Sequence, residues 1–313
     1  MLKNLYSKLR PLIMISPLIF ILSGCLNDNK VTKETRILMG TFMSVSQYGY
    51  PEKEIIKEAF QLAEMYENKI KVLEKSGDIP EGVYDFAAKT LELASLSKGY
   101  YDPSVGAFLD VWGISDHEWR IPQKEEITGA LENTGWEKIT LAEKKIVAPA
   151  GMKLGFGASA KGWIIDKTAG YLKQKGINKA IVEGGGDLTV FGDYSFRIGL
   201  RDPRGPGIAA VFSLKNAAAA TSGDYENYFE LEGVRYCHII DPKTGYTAGK
   251  VRSATVIAPD CHTADALATA LFVAPDEIAP VLRKAGYPFI IISEEGHTVS
   301  GIELEWIDAS EQK

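Results

Sequence analysis

The stretch of sequence that decides the fold is residues 179–191, KAIVEGGGDLTVF, in which three glycines separate two short apolar runs. Short apolar runs bounded by glycine are typical of strands buried in a sheet. The same kind of pattern recurs toward the C-terminus. It predicts strands at residues 180–183, 188–191, 196–200, 209–214 and 288–293, another near Ile302, and a hairpin around Glu232-Gly233.

Helical periodicity dominates the rest of the chain. Apolar residues at helical spacing predict helices at residues 52–74, 81–97, 124–133, 160–175, 263–273 and 275–285. A first strand is expected at residues 37–48, and residues 138–141 and 145–148 have the pattern of a hairpin. The predicted fold class is therefore α+β, a single domain of two intimate lobes with a mixed or antiparallel sheet and flanking helices.

The first 24 residues have the features of an export signal. Lys3, Lys8 and Arg10 precede an apolar run at residues 12–22, and small residues lie directly before Cys25. This arrangement is typical of a bacterial lipoprotein signal, and the run is short for a membrane span. We therefore predict an exported protein that is lipid-anchored through Cys25, with its domain on the periplasmic or extracellular side of a bacterial membrane. An uncleaved anchor, or a signal with a chance cysteine, is the alternative.

Residues 25–35 are polar and predict a flexible tether, which leaves residues 36–313 for the folded domain.

The formal net charge of the chain excludes one class of partner. The leader at residues 1–24 holds three positive and no negative side chains, so its removal changes the formal net charge from -6 to -9. A chain this acidic is a poor partner for nucleic acid.

Two cysteines remain in the predicted domain, Cys237 and Cys261. An oxidising compartment permits them to pair, which would make the segments around them neighbours. Two buried free thiols are the alternative, and the sequence leaves both open.

A candidate metal site lies in the sequence TADALATALF, residues 263–272. Asp265 and Thr269 are four residues apart, so they share one face of a helix. Carboxylate and hydroxyl oxygens suit magnesium, which completes its coordination with carbonyls, waters and phosphate oxygens. The alternative is an ordinary helix start, with Thr263 as N-cap and Asp265 as a partner of the helix dipole.

Three glycine-containing segments are candidate ligand loops. Residues 155–162, GFGASAKG, lead into a helix, where backbone amides and Lys161 suit a phosphate. The triple glycine at residues 184–186 permits close approach to the backbone, and residues 221–225, TSGDY, offer hydroxyl and amide donors. The alternative for each of these segments is an ordinary turn or bulge, and glycines before a helix are more often turn residues.

His238 begins the sequence HIIDPKTG, residues 238–245. Its apolar neighbours suggest a core histidine, whereas the turn that follows suggests a site and a role in proton transfer. His262 lies near Asp265, but histidines and cysteines do not cluster in a zinc pattern.

Taken in order, seven motifs resemble those of the ApbE family, the FAD:protein FMN transferases, over essentially the whole mature chain. The motifs are Met39-Gly-Thr41, Tyr101-Asp-Pro-Ser-Val-Gly106, Ala158-Ser-Ala-Lys-Gly162, Gly184-Gly-Gly-Asp187, Thr221-Ser-Gly-Asp-Tyr225, His238-Ile-Ile-Asp-Pro-Lys-Thr-Gly245 and Asp265-Ala-Leu-Ala-Thr269. The resemblance implies a magnesium-dependent enzyme that transfers FMN from FAD to a threonine or serine hydroxyl of another protein and releases AMP.

The resemblance also assigns residues. It implies magnesium ligands at Asp265, Thr269 and Ala158, the last through its carbonyl. It implies FAD contacts at Met39, Tyr100, Tyr101, Asp102, Lys161 and Ile240, to which we add Ser222 of the TSGDY segment. His238 is the candidate base and Asp265 the second catalytic residue. The implied acceptor is a flavoprotein subunit of a membrane electron-transfer complex.

The chain departs from the family's sequence pattern at two places, and three alternative functions remain open. Many members of the family carry an aspartate where this chain has Gly155, and residues 75–80 lack an expected stretch with serine and asparagine. The same site with water as acceptor would be an FAD pyrophosphatase, releasing FMN and AMP. A non-catalytic flavin-binding lipoprotein is the second alternative. The third, an exported solute-binding lipoprotein, requires two similar lobes and a hinge, which the sequence pattern does not suggest.

Overall fold

Antiparallel strands form the centre of the protein in the computed structural model, which describes residues 30–307. In chain order the strands are β1 (Val31–Leu38), β2 (Thr41–Tyr48), β3 (Thr140–Ala142), β4 (Lys145–Val147), β5 (Ala180–Gly184), β6 (Asp187–Phe191), β7 (Phe196–Arg201), β8 (Ile208–Leu214), β9 (Ala217–Gly223), β10 (Tyr228–Leu231), β11 (Val234–Cys237), β12 (Ser253–Ala258), β13 (Phe289–Ile292), β14 (His297–Ser300) and β15 (Glu305–Trp306). Eight of them form one sheet in the order β1-β2-β5-β6-β9-β12-β13-β14. Because this sheet takes strands from both ends of the described chain, the expected lobes share it.

Seven α-helices accompany the sheets within the described residues. They are α1 (Lys53–Ser76), α2 (Tyr84–Leu96), α3 (Gly106–Val111), α4 (Lys124–Glu132), α5 (Ala160–Gln174), α6 (Cys261–Val273) and α7 (Pro275–Ala285). Helix α6 packs against β9, β12 and α5, and nearly all of its residues are buried. A helix that is apolar on all sides belongs in the interior. The predicted α+β class, a single domain with an antiparallel sheet, is confirmed.

The N-terminal boundary of the sheet differs from the prediction. Strand β1 begins at Val31, so residues 31–35, expected as part of a tether, are paired with β2. The expected single strand at residues 37–48 is a hairpin, whose turn is Met39-Gly40 with positive φ at both residues. Strand β1 lies at the sheet edge, and its side chains alternate between exposed and half-buried. Because none of them is fully buried, the strand can carry the polar residues that are also typical of a linker. The predicted leader and Cys25 lie outside the described residues.

Two central strands, β9 and β12, escaped prediction. Strand β9 includes most of the segment expected to be a turn at residues 221–225, and it pairs with both β6 and β12. Its four consecutive alanines have low β-propensity, so the strand is stabilised by its neighbours and not by its own sequence. The close pairing of small side chains in turn makes room for α6, which packs on this part of the sheet.

The structure bears on two further points: whether Cys237 and Cys261 form a disulfide, and whether a described helix could cross a membrane. Cys237 and Cys261 are both buried free thiols, so the disulfide alternative is wrong. Within residues 30–307, no helix combines the length and apolar character needed to cross a membrane.

Candidate active site

One pocket of about 250 Å³ collects the predicted site residues from separate parts of the chain. Its walls come from the loop before α3, the start of α5, the end of β9, the segment after β11 and one face of α6. Among the predicted residues, those that line it are Tyr100, Tyr101, Asp102, Ala158, Lys161, Ser222, His238, Ile240, Asp265 and Thr269. Met39 is the exception within the described chain. The roles predicted for these residues stay predictions, but their convergence is a geometric fact.

Asp265 sits where two helices meet. Its Oδ2 accepts a hydrogen bond from the backbone N–H of Gly162 at 3.0 Å, and its side chain is 6% exposed. A Cβ at Gly162 would overlap the carbonyl oxygen of Cys261 and lie only 2.6 Å from its carbonyl carbon. Glycine at position 162 therefore allows the first turns of α5 and α6 to touch, and this contact orients the Asp265 carboxylate.

Carboxylates hold the start of helix α6. Asp166 accepts hydrogen bonds from the backbone N–H groups of Cys261 and His262, each at 2.9 Å, and Asp260 accepts one from Thr263 at 2.8 Å. The N-cap is therefore Asp260, and the alternative with Thr263 as N-cap is wrong. Burial, above all, raises the pKa of Asp166 to about 6. Sequence reasoning missed Asp166 because its partners lie far away along the chain.

Thr269 lies one turn beyond Asp265 on α6, as the spacing predicted. Its hydroxyl shares a hydrogen bond of 3.1 Å with that of Ser222, which ties the helix to strand β9. Ala158, just before α5, also lines the pocket, together with the Asp265 carboxylate and the Thr269 hydroxyl. Across residues 30–307, no three His, Cys, Asp or Glu side chains form a self-contained cation site. Waters and a bound phosphate would have to complete the coordination of a magnesium ion here.

Lys161 lies among carboxylates at one end of the pocket. Its ammonium donates a hydrogen bond to Asp187 and lies 3.6 Å from Asp265 Oδ1. Burial alone would lower the pKa of Lys161, but the charges of Asp265 and Glu226 raise it above its ordinary value, so the side chain is cationic. More acidic than basic side chains line the described part of the pocket. This excess of acidic groups suits the binding of an additional cation.

Glu226 lines the pocket and was not predicted. Burial is the main reason that its pKa rises to about 7, and the negative charge of Asp265 acts in the same direction. It also borders a smaller cavity between the large sheet and the β7–β8 hairpin, together with Thr221. The sequence signal that could have identified Glu226 is its position directly after the TSGDY segment.

The segment before α3 gives the pocket a rigid wall. The Asp102 carboxylate accepts hydrogen bonds from the backbone N–H and the hydroxyl of Ser104, at 2.8 and 2.6 Å, and from the backbone N–H of Trp136 at 3.0 Å. The Tyr101 hydroxyl is 2.6 Å from that of Ser159. Both side chains are nearly inaccessible to solvent. Their polar groups are therefore engaged within the protein, and Tyr100 is the more accessible member of this segment.

His238 lies in the pocket wall and not in the core. Its Nδ1 is 3.2 Å from the carbonyl oxygen of Asn227, and its backbone N–H donates to the same oxygen at 2.9 Å. Desolvation lowers the pKa of the imidazole to about 4, so the ring is neutral at pH 7. A donated Nδ1–H to Asn227 would leave Nε2 as the free acceptor.

His262 has a different environment. Its ring stacks on Phe86 with the centroids 5.1 Å apart, and its Nε2 is 3.3 Å from the Thr90 hydroxyl. Burial lowers its pKa to about 3. It does not line the pocket, so it is a neutral core histidine and not a partner of Asp265.

Met39 lies beside the pocket. It occupies the β1–β2 turn with a φ of 55°, and its backbone N–H donates to Glu67 at 3.1 Å. A Cβ placed at Gly184 would lie 3.5 Å from the Met39 methyl carbon, and one placed at Gly185 would lie 3.4 Å from Lys161 Cδ. Met39 and Lys161 therefore each pack near the same run of glycines, Met39 at Gly184 and Lys161 at Gly185.

Gly155 explains the departure from the expected aspartate. A Cβ at this position would meet Gly106 N at 3.3 Å and the side chains of Leu109 and Val105 at 3.4 Å. Helix α3 thus packs directly on the glycine, and apolar side chains occupy the wall where a carboxylate was expected. A side chain at position 155 would therefore make tight contacts, which these neighbours would have to relieve by a few tenths of an ångström.

Comparison with known proteins identifies what the chain is similar to. A model of the ApbE family matches residues 39–290. The FAD:protein FMN transferase of Treponema pallidum (strain Nichols) is 35% identical over 218 residues, which are 62% of this chain and 60% of that protein. The FAD:protein FMN transferase of Klebsiella pneumoniae (strain 342) is 28% identical over 267 residues, 79% of this chain and 84% of that protein.

A solved structure has the same fold. The crystal structure of the ApbE protein from Thermotoga maritima matches with a TM-score of 0.77 at 30% identity, and the match covers 90% of this chain and 98% of that one. The match to the Treponema protein, in contrast, spans less than two thirds of that relative's length.

Proposed function

The chain belongs to the ApbE family, since the family model matches residues 39–290, and on this premise we propose that it is a FAD:protein FMN transferase. The relatives carry that name, which denotes transferase enzymes. One observation supports the proposal for this chain: the residues that the motifs assign to substrate, cation and base, apart from Met39, meet in a single pocket.

The proposed reaction moves FMN from FAD to an acceptor hydroxyl. The hydroxyl oxygen of a threonine or serine attacks the phosphorus on the FMN side of the pyrophosphate, and a new phosphoester bond forms. The bond between this phosphorus and the bridging oxygen breaks, and AMP leaves with that oxygen. The proton of the hydroxyl goes to a base, for which His238 is the candidate.

The residues present fit this chemistry. Lys161 supplies a positive charge for the phosphates, and the rigid wall at Tyr101 and Asp102 orients the substrate. His238 is neutral at pH 7, and a bound pyrophosphate, being negative, would raise the lowered pKa of a nearby imidazole and so make it a stronger base.

We include a divalent cation in the proposal. Asp265, Thr269 and the carbonyl of Ala158 would hold it, and they are oxygen ligands of the kind that magnesium prefers. A magnesium ion bound there would neutralise charge that develops on the phosphoryl oxygens.

The location and the acceptor are also proposals. The leader supports export and lipid anchoring through Cys25. An acceptor on the same side of the membrane, such as a flavoprotein subunit of a membrane electron-transfer complex, would then be within reach of the tethered domain.

The function is tested with the purified domain, FAD, magnesium and a candidate acceptor protein. We expect a mass increase of one FMN moiety on the acceptor, measured by mass spectrometry, together with release of AMP. FMN and AMP without labelled protein would instead indicate the pyrophosphatase. FAD binding with neither product would indicate the non-catalytic flavin-binding protein, and either result would contradict the proposed transfer.

Replacement of His238 tests the base. We expect His238→Ala to lower the rate of FMN transfer by about 100-fold, near the lower end of what a positioned base contributes. The dissociation constant for FAD, measured by calorimetry, should change little, because the phosphates and the flavin do not depend on a proton acceptor. A variant with normal transfer and a lowered unfolding midpoint would mean that His238 is only a structural residue.

A further inference from the structure

Asp187 connects three of the sequence motifs but has no role in the proposed reaction. It begins strand β6, directly after the turn formed by Gly185 and Gly186, and it is 1% exposed. Both glycines have positive φ, so β5 and β6 are joined by a tight two-residue turn. The turn fixes where Asp187 can lie, because any longer loop would allow the strand end to shift.

The two carboxylate oxygens of Asp187 have different partners. Oδ1 accepts the backbone N–H of Thr221 in β9 at 3.1 Å, and Oδ2 accepts the ammonium of Lys161 in α5. The first bond anchors the carboxylate to the neighbouring strand. The second therefore holds the ammonium at the end of the flexible lysine side chain in a fixed position.

The lysine stem is confined over the same turn. A Cβ at Gly185 would lie 3.2 Å from the Thr41 side chain and 3.4 Å from Lys161 Cδ. Glycine thus permits the stem to cross the turn closely. At its far end, the ammonium is shared between Asp187 and Asp265, and only 23% of the lysine side chain is exposed. A lysine on the protein surface would sample many rotamers, whereas the ammonium of Lys161 is held toward Asp187 and Asp265.

We propose that Asp187 is a positioning residue, which holds the Lys161 ammonium beside Asp265 so that it meets the phosphates of the substrate. This inference rests on the proposed function, in which Lys161 contacts FAD. Asp187 itself does not line the pocket, so it acts through Lys161 and not on the substrate.

A double-mutant cycle on FAD binding tests the inference. Asp187→Asn keeps the shape of the side chain and an oxygen for Thr221 N–H, but it removes the charge that holds the ammonium. We expect it to raise the FAD dissociation constant by about tenfold, which lies within the range of coupling energies between residues in contact. In a Lys161→Gln background the same substitution should change the constant by less than about twofold, because the group it positions is gone.

The controls separate positioning from folding and from the proposed function. Asp193→Asn removes an exposed aspartate just after β6, whose partner is Lys215 at 2.6 Å, and it should leave FAD binding unchanged. Asp187→Glu, which restores the charge, should recover part of the affinity. Binding is measured without an acceptor, so failure of FMN transfer would not affect the result. The inference would be overturned if Asp187→Asn cost as much affinity in the Lys161→Gln background as it does with Lys161 present, or if it left affinity unchanged.

Discussion

Asp265→Asn is expected to reduce FMN transfer by about 1,000-fold or more, which corresponds to about 4 kcal/mol of lost transition-state stabilisation. Asparagine has nearly the same shape, and its amide oxygen can still accept the Gly162 N–H that Asp265 Oδ2 accepts at 3.0 Å. The fold should therefore persist. The variant lacks the negative charge that would bind a divalent cation and that pairs with Lys161.

The measurement is the rate of FMN incorporation over a magnesium titration, with the unfolding midpoint recorded for each variant. Asp276→Asn is the matched control, because Asp276 is 87% exposed on α7 and lies away from the pocket. It should keep normal transfer. If Asp265→Asn transferred FMN at the normal rate with the normal magnesium dependence, the assignment of Asp265 as a cation ligand would be wrong.

Local patterns predicted the parts of the site that depend on neighbouring residues. The spacing of Asp265 and Thr269 predicted that they share a helix face, and α6 confirms that geometry. The start of α5 at Ala160 followed from the glycine-rich loop before it. In both cases the helical period alone determines the relative positions of the side chains.

Contacts between distant segments could not be predicted in this way. Asp166 accepts a hydrogen bond from the start of a helix 95 residues later, and Asp187 accepts one from a strand residue 34 positions later. Strand β9 is alanine-rich, so its identity depends on β6 and β12 at its sides. The motifs nevertheless indicated which segments matter, because the family resemblance orders them along the chain.

Gly162→Ala is expected to destabilise the domain more than any other methyl-sized change at the site. The new Cβ would overlap the Cys261 carbonyl oxygen and lie 2.6 Å from its carbonyl carbon and 2.9 Å from Asp265 Cβ. The nearest two atoms are backbone, so no side-chain rotation relieves the contact, and α5 and α6 must separate. Overpacking of a buried contact costs about 1–3 kcal/mol or more, and separation also breaks the bond from Gly162 N–H to Asp265.

Gly170→Ala provides the matched control for this prediction. Gly170 lies on the same helix, and nothing would stand within 4 Å of an added Cβ. Alanine there should stabilise the helix by about 0.5–1 kcal/mol, since glycine loses more backbone entropy on folding. The free energy of unfolding, measured in urea, should therefore change in opposite directions for the two substitutions. Equal stabilisation by both would mean that α5 and α6 are not in close contact at Gly162, and the orientation of Asp265 would then need another cause.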